Sequence, residues 1–180
     1  MMIEDLDKDQ VYIEEQLLNP AQIGVIQERF NEILGNKNSE FANSYTSWDT
    51  EITDNYRAGI VLLKNLDNDA VRPVIKDACE RMTGKDCTKA ILSVFTAGSY
   101  IPWHDDKKFD AAITIHVDDY DWQDGGMFLY TDPSDNFSGI KGYIPRAGAG
   151  VYVKNAWHMV TPVLPTRPPR LTVQCWFIED

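Results

Sequence analysis

The chain has 180 residues, 17 basic against 28 acidic, for a formal net charge of −11. A field of that sign repels polyanions and disfavours nonspecific nucleic-acid binding. Its hydrophobic fraction of 43% is ordinary for a globular protein, and no apolar run approaches the roughly 18 residues that a membrane span needs. Neither a nucleic acid nor a membrane is therefore expected as a partner. The acidic start, Met1-Met2-Ile3-Glu4-Asp5, lacks the basic segment and apolar block of a secretory signal, so a cytoplasmic location is expected. Cys79, Cys87 and Cys175 are odd in number and form no CxxC or Cys/His cluster, which argues against a disulfide framework or a thiolate zinc site. Buried free thiols are the expectation.

Val11-Tyr12-Ile13 reads as a short strand, after which Asn19 and Pro20 supply a cap and a first-turn residue for a helix. Ile23, Ile26, Phe30, Ile33 and Leu34 recur at helical spacing up to Gly35. Residues 36–56 are polar and irregular, with Tyr45, Trp48 and Tyr56 among them, and read as a long loop that is a candidate substrate lid. Residues 59–66 read as a strand, and Asp67, Asn68 or Asp69 can cap a second helix. The apolar face of that helix is Val71, Val74, Ile75, Ala78, Cys79 and Met82, closed by Gly84.

Beyond Gly84 the pattern changes to strands at 90–97, 111–117, 127–130, 143–144, 150–153 and 171–178, divided by Gly, Pro and Asp turns. Within 111–117, Ile113, Ile115 and Val117 share one side and Thr114 and His116 the other. The expected fold is α+β and mainly β, a β-sandwich or jelly roll buttressed by two N-terminal helices. The whole chain, 1–180, forms one domain in which 1–88 give helical support and the substrate loop and 89–180 the catalytic core.

All three histidines, His104, His116 and His158, fall in the strand-rich half. His104 and Asp106 stand two residues apart, so on an extended segment they point the same way. Joined by the distant His158, they make the two-histidine, one-carboxylate set that holds non-haem iron(II) and leaves positions open. Asp106 is preferred to Asp105, whose side chain a strand turns away. Two His and one Asp also suit a zinc hydrolase, though no HExxH glutamate or other clear general base accompanies them. A metal-stabilised binding domain without catalysis is the non-enzyme alternative.

The stretch from Phe95 to Asp106, with Gly98, Pro102 and His104, resembles the approach strand and HxD motif of the iron(II) and 2-oxoglutarate dependent dioxygenases, nearest the small prolyl-hydroxylase-like branch. Residues 114–130, with Trp122 and Gly125-Gly126, resemble the strand, tryptophan and double glycine that follow there. His158-Met159-Val160-Thr161-Pro162-Val163 matches the family's His-x-Val-x-Pro-Val pattern. The resemblance implies the double-stranded β-helix fold and iron(II) held by His104, Asp106 and His158. The implied cosubstrates are 2-oxoglutarate and O2, and ascorbate is a further candidate cofactor. It also implies an anchor for the far carboxylate of 2-oxoglutarate. Arg170, with Thr172, resembles the family's Arg-x-Ser/Thr pair and is favoured over Arg167, and His116 stands where many relatives carry a tyrosine that helps bind 2-oxoglutarate. Tyr100, Tyr130, Trp157 and Trp176 are candidate pocket aromatics. The implied reaction is hydroxylation of an unactivated C–H bond, of a prolyl residue in a peptide or of a free amino acid, with release of succinate and CO2. The substrate is thus a small molecule or peptide, and the protein a monomer or homodimer. Residues 36–56 and 107–110 are expected to decide the substrate.

Overall fold

The computed structural model describes residues 3, 6, 8–35, 61–106, 108–133, 138–165 and 168–178. The expected lid at 36–56, Lys107 and Arg167 lie outside the described residues. The elements in order are β1 (Gln10–Glu14), α1 (Pro20–Gly35), β2 (Val61–Asn65), α2 (Arg72–Thr83), β3 (Lys89–Phe95), β4 (Ile101–His104), β5 (Ala111–His116), a 3₁₀ turn (Trp122–Asp124), β6 (Phe128–Thr131), β7 (Ile140–Tyr143), β8 (Gly150–Lys154), β9 (His158–Val160) and β10 (Arg170–Phe177).

Helix α1 starts where its cap predicts. Asn19 Oδ1 accepts the Gln22 N–H at 3.0 Å, and Gln22 Oε1 accepts the Asn19 N–H at 3.1 Å, a reciprocal box that satisfies two otherwise orphaned donors. Ile26, Phe30 and Ile33 are buried, whereas Leu34, expected on the same face, is exposed at the end of the helix. Helix α2 begins later than its candidate caps suggest. Val71 occupies the N-cap position with no side-chain hydrogen bond, and Asp69 instead fixes the turn before it, accepting the Val71 N–H at 3.3 Å and the Arg29 guanidinium. Pro73 sits in the first turn, where its missing donor costs nothing. Gly84, at φ 74°, ends the helix as expected and donates its N–H to Glu80 O.

The strands form a six-stranded sheet in the order β1-β8-β5-β10-β3-β2 and a four-stranded sheet in the order β4-β9-β6-β7. Every pairing is antiparallel. One face of the larger sheet carries Leu92, Val94, Ile113, Ile115, Tyr152 and Val173 into a core shared with Ile26, Phe30, Ile33, Ile75 and Met82 of the helices. The opposite face sets Phe95, Val151 and Val153 against Ile101, Phe128, Tyr143 and Val160. This is the expected jelly roll, and the expected phase of β5 holds: its isoleucines face the helices while His116 faces between the sheets. Strand β9 is too short to carry a periodic signal and was not foreseen as a strand. Strands β1 and β2 come from the first half of the chain yet complete the two edges of the larger sheet. The three cysteines are buried and free, as expected, but contrary to the reading from their spacing they converge on one point of the helix-side core.

Candidate metal and anion site

Pairing of β4 with β9 sets His104 directly opposite His158, and their ring centroids lie 4.1 Å apart. Each ring is turned by its own backbone. His104 Nδ1 lies 2.8 Å from Pro102 O and His158 Nδ1 2.9 Å from Ala156 O. A carbonyl only accepts, so each ring donates from Nδ1 and turns its Nε2 inward.

Asp106 joins them by a different route from the one its spacing suggested. Strand β4 ends at His104, and Asp106 lies beyond it with φ 50°, in the left-handed region that aspartate tolerates better than most residues. Its carbonyl accepts the Phe109 N–H at 2.8 Å, which closes the turn. The carboxylate then straddles the two rings, Oδ1 3.5 Å from His104 Nε2 and Oδ2 3.4 Å from His158 Nε2. Ligands on one face of an octahedral ion, at bond lengths near 2.1 Å, stand about 3 Å apart. The three donors therefore need only small adjustments to close on an ion.

The charge states suit a cation. Burial, helped by His158, lowers the His104 pKa to about 4, so the ring is neutral at neutral pH. Burial pushes the Asp106 carboxyl up, but hydrogen bonding and charge from His158, with His104 beside it, outweigh that and hold it below its ordinary value. A neutral His104 imidazole and an ionised Asp106 carboxylate thus stand together beside His158 Nε2.

Arg170, the first residue of β10, is 1% exposed, and burial lowers its pKa to about 10. Its Cζ lies 4.8 Å from the centre of the Phe95 ring. Nη2 is 3.4 Å from His116 Nδ1. Arginine cannot accept, so His116 Nδ1 must, which places the neutral ring's proton on Nε2. Burial, with Arg170 adding to it, holds the His116 pKa well below its usual value. Thr172 pairs across β5 with His116. Among the described residues, His116 Nε2, Arg170 Nε and Nη1, and Thr172 Oγ1 are buried without a hydrogen-bond partner. All four can donate, and no described carboxylate pairs with the guanidinium. A fully buried cation ringed by idle donors is shaped for an anion.

One cavity joins the two groups. It is lined by His104, Asp106 and His158 at one part and by Arg170, Gln174 and Trp176 of β10 at another, with Ala112, Thr114, Phe128 and Val153 between the sheets. Of the four aromatics named from sequence, Trp176 alone lines it, with Phe109 5.3 Å away. Trp157 is 45% exposed. Sequence reasoning missed Phe128, whose ring lies 5.4 Å from that of His158, and Tyr143, whose ring lies 5.8 Å from that of His116. The double glycine has a steric role: a Cβ on Gly126 would stand 2.9 Å from Arg170 Cδ, and one on Gly125 would collide with Pro162 O.

No protein-family model matches the chain, and no curated protein matches it. Solved structures do. A Pseudomonas putida prolyl-4-hydroxylase superposes with TM-score 0.68 at 16% identity, covering 98% of this chain and 96% of that one. The nogalamycin-biosynthesis epimerase SnoN, solved with Fe3+, α-ketoglutarate and nogalamycin RO, gives 0.67 at 13% identity over 95% of this chain and 79% of that one. A viral collagen prolyl hydroxylase from Paramecium bursaria Chlorella virus-1, in complex with 2-oxoglutarate, gives 0.63 at 11% identity over 97% of this chain and 99% of that one. The chain has the fold of the iron(II) and 2-oxoglutarate oxygenases, prolyl-hydroxylase-like members included, as the motif resemblance implied.

Proposed function

We propose that the protein is an iron(II)- and 2-oxoglutarate-dependent dioxygenase that hydroxylates an unactivated C–H bond, in a prolyl residue of a peptide or in a free amino acid. The observation that carries the reading is the single cavity lined both by the His104, Asp106, His158 donors and by buried Arg170 with idle N–H groups. His104, Asp106 and His158 would hold the metal. Arg170, with Thr172 and His116 Nε2–H, would bind the far carboxylate of the 2-oxo acid, its guanidinium in a planar, bidentate grip. When bound, iron(II) supplies open positions at which the 2-oxo acid and dioxygen react, giving succinate, CO2 and the hydroxylated product. The protein's part is to fix the cosubstrate end to end, to turn both histidine Nε2 atoms toward the ion, and to present the substrate C–H bond at the open side. A zinc hydrolase would have no use for the buried guanidinium, and a structural metal site would leave its charge unbalanced.

The test is anaerobic titration with Fe(II) and 2-oxoglutarate. Wild type should develop the weak visible charge-transfer band of the chelate and form succinate once air is admitted, and His158→Ala should do neither. Absence of both from folded wild-type protein would overturn the oxygenase reading.

A further inference from the structure

We propose that Cys79, Cys87 and Cys175 form a second metal site, a dry trigonal thiolate site for a soft d10 ion, Cu(I), on the face of the larger sheet opposite the histidine cavity. The three residues come from the inner face of α2, the segment between α2 and β3, and the helix-facing side of β10, and their Sγ atoms all lie within 4.8 Å of one another. At a metal–sulfur length of about 2.3 Å, three thiolates around one ion stand about 4.0 Å apart. The thiols are therefore close to ligating positions before any ion binds.

The surroundings decide which ion. Cys79 and Cys175 are 0% exposed and Cys87 3%, and all three belong to the apolar core with Ile75, Met82, Ala90 and Ile113. Among the described residues no histidine or carboxylate joins the set. Zinc seeks a fourth ligand and hard cations seek oxygen, whereas a soft ion content with three sulfurs is satisfied here. An ion pair lies at one side. Arg72 Nη2 donates to Cys87 O at 2.8 Å while Nη1 donates to Asp86 Oδ1 at 2.9 Å, which fixes a guanidinium beside the thiols. Each thiol that ligates releases its proton to solvent, and no electron is transferred when Cu(I) binds.

The experiment is anaerobic titration of the full chain with Cu(I) against a chromophoric copper(I) chelator, read as copper retained per chain and as near-ultraviolet thiolate-to-copper absorption. Wild type and His104→Ala should each retain a single copper with that absorption, and Cys87→Ser should lose retention by at least about 10-fold. The proposal is overturned if wild type surrenders copper as readily as Cys87→Ser, or if retention disappears in His104→Ala and survives in Cys87→Ser. Should Cys87→Ser fail to fold, X-ray absorption on copper-loaded wild type decides alone: a shell of three sulfurs supports the site, and nitrogen or oxygen neighbours overturn it.

Discussion

Arg170 carries a positive charge into the interior with no described carboxylate paired to it, Asp118 and Tyr120 acting only through their fields, so its energetic role changes between the free and loaded protein. Replacement by Ala should raise the KM for 2-oxoglutarate by about 10-fold or more, the worth of a charge-assisted hydrogen-bond pair, while Fe(II) binding survives. Because a buried unpaired charge is costly, the same substitution should leave the ligand-free protein no less stable in thermal denaturation. Steady-state kinetics and melting curves on one variant check both statements, and a matching KM effect from Arg167→Ala would reassign the anchor. Gly126→Ala should destabilise by about 1–3 kcal/mol in denaturant titration, since it strains a φ of +64° and forces Cβ against Arg170. At this scale the metal-ligand candidates were legible, but for a reason that proved incomplete. The period-2 argument selected Asp106 over Asp105, yet Asp106 arrives through a left-handed turn beyond the strand, a geometry that spacing alone does not encode.

Between residue and molecule, the elements are held by local caps and by pairs that only the fold creates. Asn19→Ala breaks the reciprocal box that starts α1 and should cost about 1 kcal/mol, measurable in urea. Asp69 illustrates the second kind. Burial raises its carboxyl, but the Arg29 guanidinium, 2.8 Å away, and the Val71 N–H outweigh that and leave its pKa below the ordinary carboxylate value. A lowered folded-state pKa contributes stability that is fully present above the unfolded value of about 3.9 and is lost as pH falls through the folded one. Wild type should therefore exceed Asp69→Asn in stability at neutral pH, and the gap should close on acidification below about pH 4; urea titrations across that range check it. Arg29 and Asp69 are 40 residues apart in the chain, so no local pattern could show why Asp69 leaves the capping of α2 to Val71. The strands that alternate over five or more residues were legible, and β9, three residues long, was not.

Across the whole molecule, the jelly roll could be read from the rhythm of short strands and turns because one buried face per strand writes itself into the sequence. Closure of the larger sheet by β1 and β2 could not, since pairing partners are chosen by non-local packing. Convergence of the three cysteines was hidden for the same reason. The histidine site ties β4 and β9 of the smaller sheet to the turn at Asp106 that leads into β5 of the larger one, so an ion there should hold the fold together. A divalent ion at about 100 times its Kd should add roughly 2.7 kcal/mol, read as a raised Tm that His158→Ala abolishes.

Strand β10 is a party wall. Arg170, Gln174 and Trp176 line the histidine cavity from one side, while Val173, Cys175 and Phe177 belong to the helix core on the other. Because side chains alternate, one inserted residue inside this strand would exchange the two sets, delivering a guanidinium to the apolar core and a valine to the anion pocket. Length variation across homologous chains should therefore collect in the connection between β9 and β10 and spare the eight residues of β10 itself.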